Sequence, residues 1–156
     1  MRAIVVSVML VFAVTGCQSK EAPMDIEQLK DPGARYAAAW CSQDPTSVAA
    51  FYEENGSLTI NDGDPSIGRA AITEAARGFM DAFPDMIVTM DEINLGEHHA
   101  IFRWTLAGTN TGPGGSGNVV HISGYEEWAI SQNNLIAESQ GHFDEADYNR
   151  QLNTDG

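Results

Sequence analysis

Residues 69–85 read RAAITEAARGFMDAFPD, and here the chain changes its period. Ile72, Ala75, Ala76, Phe79 and Phe83 recur on one stripe of a helix, and Pro84 stops it, so a helix is predicted over 69–82. Everything downstream has strand character. Residues 86–95 lead to a Gly96-Glu97 turn, 100–109 to a glycine-rich loop, 118–130 to a Gln132-Asn133-Asn134 turn, and 135–143 follow. Upstream the signals are helical. Tyr36 and Trp40 stand one turn apart on a helix face. Asp44-Pro45 is an N-cap followed by a proline at the first helical position, predicting a second helix over 45–54 that Asn55-Gly56 ends. A short strand over 57–60 and a turn over 61–65 complete the first half. Helices followed by a meander of long strands mean an α+β domain, with helices over one face of a sheet. A curved sheet with helices on its concave side leaves one pocket between them.

The N-terminus carries a separate message. A positive Met1-Arg2 start, twelve largely apolar residues over 3–14, and a small-residue site before Cys17 have the order of a secretory signal. Twelve residues are too few to span a bilayer, which takes about 20. Val14-Thr15-Gly16-Cys17 resembles the bacterial lipobox. By that resemblance residues 1–16 are removed, Cys17 carries the lipid, and residues 17–30 are lipidated cysteine and tether to a domain over 31–153. The implied location is the cell envelope, with the protein anchored at the outer membrane and facing the periplasm, since Gln18 stands where an aspartate signals inner-membrane retention. The one other cysteine, Cys41, lies in an apolar helical stretch and is expected as core packing.

Removing Arg2 leaves 7 basic against 22 acidic side chains. Nucleic acid is excluded as a partner, because binding it needs clustered Lys and Arg. The acidity itself reads as solubility.

Over 36–152 the chain resembles the SnoaL-like polyketide cyclases of the nuclear-transport-factor-2-like superfamily. Three stretches carry the resemblance: Gly68-Arg69-Ala-Ala-Ile72 running into Phe79 and Ala82-Phe83-Pro84-Asp85; Arg103-Trp104-Thr105 with Gly108-Thr109-Asn110-Thr111-Gly112; and Ile136-Ala-Glu138, Asp144 and Arg150-Gln151-Leu152. The resemblance implies a cystatin-like cone, a strongly bent antiparallel sheet wrapped around helices with a deep cavity. It also implies a homodimer through the outer sheet face, and Asp144 as general acid/base. The chain departs from the family at Asn110, where a histidine is usual, and at Gln140, where a tryptophan is usual.

Strand alternation puts Glu138, Gln140, His142 and Asp144 on one face of the last strand and Leu135, Ala137, Ser139, Gly141 and Phe143 on the other. With the polar face inward, Asp144 would take a proton from carbon next to a carbonyl, assisted by His142. Donors to the resulting oxyanion would come from Tyr36, Trp40, Asn110, His121 or His142, and Gln140 would contact the substrate. Asp144 also stands where it could simply cap a helix over 145–152. Arg103 has two readings, contact with an acidic substrate or an ion pair with Glu126 or Glu127. No metal site is expected, because the histidines lack chelating spacing, and no cofactor is expected. The loop over 111–118 lacks the ending of a phosphate-binding loop and reads as a mobile hairpin loop at the pocket mouth. The expected ligand is a small apolar or carbonyl-bearing molecule. Its use could be catalytic, for cyclisation, isomerisation or hydrolysis, or non-catalytic binding. A third reading makes the domain a protein-interaction module.

Overall fold

A computed structural model describes residues 25–96 and 99–153; the calls on residues 1–16 and on Cys17 lie outside the described residues. The elements are α1 (Ile26–Cys41), α2 (Pro45–Ala49), β1 (Tyr52–Ile60), β2 (Ser66–Ile67), α3 (Gly68–Ala82), β3 (Ile87–Leu95), β4 (Ala100–Thr109), β5 (Val119–Ile130), β6 (Ile136–Phe143) and α4 (Glu145–Leu152). The fold is α+β, as expected: one six-stranded curved, unclosed sheet in the order β2-β1-β6-β5-β4-β3, with the helices. All neighbours are antiparallel except β1 and β6, which run parallel, Ile60 lying opposite Gly141.

Three breaks in register bend the sheet. In β3 the pairing slips between Met90 and Glu92, in β1 between Tyr52 and Ser57, and between β5 and β6 at Ala129/Ile130, where Ala137 is the extra residue. Extra residues on one strand kink it and sharpen its twist. The second break corrects the expected helix over 45–54. The helix ends at Ala49, and Asn55-Gly56 sits in the irregular part of β1. Asn-Gly suits a bulge as well as a helix stop, and Tyr52 gains full burial by joining the sheet beside Ile136.

Helix α1 begins at Ile26, within the stretch expected as tether, with the Asp25 side chain capping the Glu27 N–H. Leu29, Gly33, Tyr36, Ala37 and Trp40 form its buried stripe. Gly33 lets α1 lie close to β3: a Cβ there would stand 2.7 Å from Met90 Sδ, and the methionine side chain would have to shift. Cys41 is partly buried and meets the backbone of β3, its Sγ accepting from the Val88 N–H at 3.1 Å. The predicted helix over 69–82 is α3, and Ile72, Ala76 and Phe83 are fully buried, with Ala75 and Phe79 packed against the core. Inside the curve, Phe102 and Trp128 stack at 4.7 Å between ring centroids, and Tyr36 packs edge-on against both.

The glycine-rich loop is fastened at its start. Asn110 Nδ2 and the Gly112 N–H both donate to the carbonyl of Ala82, at 3.1 and 3.2 Å, satisfying an acceptor at the α3 C-terminus. The Ser116 N–H donates to Asn110 Oδ1 at 2.8 Å. Asn110 is thus a loop anchor. A Cβ on Gly112 would overlap the Asp81 carbonyl, whereas one on Gly78, exposed in α3, would meet nothing. Gly112→Ala is therefore expected to destabilise the fold by about 1–3 kcal/mol through overpacking. Gly78→Ala should stabilise it by about 0.5–1 kcal/mol through helix propensity. Urea unfolding of the two variants reads both signs.

Candidate functional site

The concave face of the sheet and the inner faces of α1 and α3 line an apolar cavity that opens to solvent. The centre of a water molecule can reach only about 50 Å³ of it, so the space is a narrow slot. Trp40 comes from α1 and Phe79 from α3; Phe102, Trp104, Ile122 and Phe143 come from the sheet. Small residues make the room. Gly141 lines the slot, and Gly124 has no side chain where a Cβ would collide with the Trp104 ring.

One ionisable group lines this slot, Glu126 on β5, 6% exposed. It shares its strand face with Val120, Ile122 and Trp128, all buried. Its two oxygens are treated differently. Oε2 accepts from Ser139 Oγ at 2.7 Å, Trp128 Nε1 at 2.8 Å and the Tyr36 hydroxyl at 3.1 Å. Oε1 has only a long contact with the same hydroxyl at 3.4 Å. Burial raises the Glu126 pKa above its ordinary value, against the pull of the three donors. The Tyr36 and Tyr52 hydroxyls lie 2.8 Å apart. Burial first, then the nearby Glu126 charge, holds both phenols well above the ordinary tyrosine value, so both remain neutral. Trp104 also lines the slot, and its buried Nε1 has no hydrogen-bond partner.

Of the residues expected at the site, Trp40 lines the slot, and Tyr36 is fully buried, its hydroxyl donating to Glu126. The alternation predicted for β6 holds from Glu138 to Phe143, after a bulge at Ala137 that leaves Ile136 buried, but its faces are the other way round: Ser139 and Gly141 are buried on the cavity side, and Glu138 is exposed. The expected convergence of Gln140, His142 and Asp144 in the cavity is therefore not met. Gln140 donates to Glu138 at 3.2 Å. His142 stacks on Tyr125 at 4.8 Å and lies 3.9 Å from Glu127. Asp144 accepts the Asp147 N–H at 2.9 Å as the N-cap of α4, and with His142 it borders a shallow outer groove. The reversal has a physical cause. The face carrying Ser139, Gly141 and Phe143 is small enough to leave space and apolar enough to be buried, while Glu138 keeps its charge in water.

Arg103 lies on the outer face as well, 3.8 Å from Glu92 and over the Tyr125 ring, so its partner is neither Glu126 nor Glu127. His121 is exposed, and its backbone N–H and carbonyl are both bound by the Gln151 side chain where β6 has ended. Glu126 was weighed in the sequence only as an ion-pair partner. The signal that could have found it was there: it is the carboxylate in phase with Val120, Ile122 and Trp128.

The family model described as "SnoaL-like domain" matches residues 34–139. No curated protein matches the chain. Among solved structures, a Jannaschia sp. CCS1 protein assigned as a SnoaL-like polyketide cyclase superposes with a TM-score of 0.74 at 13% identity, covering 86% of this chain and 97% of that one. TsrD from Streptomyces laurentii does so with a TM-score of 0.71 at 20% identity, over 83% and 98%. A protein of ketosteroid isomerase-like fold from Catenulispora acidiphila DSM 44928, in complex with trimethylamine, gives 0.67 at 15% identity, over 78% and 91%. These likenesses describe the fold, and with the match over 34–139 the chain belongs to the SnoaL-like domain family.

Proposed function

We propose that the chain is a small-molecule pocket enzyme in which Glu126 moves a proton at carbon next to a carbonyl, in an isomerisation or cyclisation. The observation that carries this is the asymmetry of the buried carboxyl: Oε2 is held by three donors and Oε1 is left nearly free at the wall of an apolar slot. As carboxylate, Oε1 takes the proton, the C–H electron pair moves toward the carbonyl oxygen, and the protonated acid returns the proton to a different carbon. A raised pKa makes the carboxylate a stronger base and its conjugate acid slower to lose the proton it must return. The slot suits a slender, mostly apolar molecule, and the Catenulispora neighbour holds a small organic molecule. In this reading Asp144 works as the α4 cap, Cys17 carries the lipid that tethers the domain to the outer membrane, and two copies pair through the outer sheet face.

Deuterium uptake at carbon next to the carbonyl of 2-tetralone, followed by NMR in heavy water, tests the chemistry. The protein should accelerate exchange. Glu126→Gln should lower the rate by roughly 100-fold or more, as for loss of a general base, while Asp144→Asn should leave it unchanged, since asparagine caps about as well. Loss of exchange in Asp144→Asn with retention in Glu126→Gln would return the role to Asp144.

A second test reads the proton itself. Because the folded state holds the Glu126 proton more tightly than the unfolded chain, this group's contribution to stability is full below its ordinary 4.5. It is lost as the pH rises through the higher folded value. Asp44, Glu53, Asp85 and Asp147, lowered by hydrogen bonds, slope the other way but are common to both proteins. The stability of Glu126→Gln minus that of the wild type should therefore climb upward from about pH 4.5. A flat difference in urea titrations would show that Glu126 titrates normally.

A further inference from the structure

We infer that the Trp104 indole N–H is a second polar anchor of the slot, donating to a neutral oxygen of the ligand, which on the reading above is the carbonyl. Trp104 is 9% exposed, and its Nε1 is the one buried side-chain nitrogen or oxygen among the described residues with no partner. A buried donor left unpaired costs stability, so such groups are rare and call for a cause. The ring lines the cavity, the space from which a ligand oxygen would reach this N–H. The neighbouring strand supports the arrangement, because Gly124 opposite Trp104 yields the room its indole occupies.

The position matches that of the carboxyl. Phe102 lies opposite Glu126 and Trp104 opposite Gly124, so Trp104 and Glu126 are diagonal neighbours on the concave face. Their Cα atoms are about 7–8 Å apart, so a carbonyl and the carbon beside it can face both side chains at once. The oxygen is neutral, because no Lys or Arg lines the slot and Glu126 would repel an anion. An indole N–H only donates, so a ligand ammonium or hydrocarbon edge would leave it unpaired. The ligand class is thus a flat, uncharged ketone or similar oxygen acceptor, with the reacting carbon toward Glu126 and the oxygen toward Trp104. As negative charge grows on that oxygen, the same N–H stabilises it.

The test uses the full chain and two probes of one carbon frame, 2-tetralone and tetralin, of which only the first carries an acceptor. Calorimetric titration of the wild type should show the ketone binding roughly 5- to 100-fold tighter, the range for pairing a buried donor. Trp104→Phe, which keeps a ring and removes the N–H, should bind the two alike. In the wild type, the Trp104 indole N–H resonance should move downfield with 2-tetralone and not with tetralin, a readout that needs no variant. Equal affinities in the wild type, a ketone preference that survives Trp104→Phe, or an indole resonance unmoved by the ketone overturns the inference and leaves the pocket reading standing. Failure of both probes to bind the wild type overturns the pocket reading and this inference together.

Discussion

The hydrogen bonds from Ser139, Trp128 and Tyr36 to Glu126 hold a carboxyl group almost wholly shielded from bulk water. Three elements supply the donors, β6, β5 and α1, so the group is secured only when all three are docked. An unpaired carboxyl in this interior would be strongly destabilising, and one paired through both oxygens would have nothing left for a ligand. The observed arrangement lies between these limits. It ties the position of α1 over the sheet to the chemistry of the slot, because Tyr36 is both a core aromatic and a donor to the carboxyl.

Much of the architecture was legible because it rests on local rules. The stripe of Ile72, Ala76 and Phe83 and the stop at Pro84 mark α3 without reference to anything distant. The four long strands announce themselves by composition and by their turns. The failures occur where local signals are degenerate. Asn55-Gly56 ends a helix or feeds a bulge equally well, and only the pairing of Tyr52 with Ile136 decides between them. The alternation in β6 gives two sets of side chains but not which set faces the helices. That choice depends on the neighbouring strand, where Val120, Ile122 and Trp128 fix the concave side.

The same degeneracy explains what happened at the site. Polar residues on one strand face attract attention as a catalytic cluster, yet charges on a sheet are stable where water reaches them. Arg103, Tyr125 and His142 form a rung across β4, β5 and β6 on the outer face, with Glu92 and Glu127 beside them. The single carboxylate embedded among apolar neighbours is the more informative feature. A buried charge-capable group needs a reason, whereas a solvated row of them does not.

The parallel pairing of β1 with β6 has a consequence for how the molecule is made. Ile60 meets Gly141 across eighty intervening positions, and that strand also supplies Ser139. A growing polypeptide can assemble α1, α3 and the β3–β5 ribbon early, but the chamber stays open on one side until nearly the last segment emerges. Closing so wide a loop is entropically slow. The hollow interior is consequently a late product of folding, and the acidic group inside it remains wet until the C-terminal strand arrives to seal the wall.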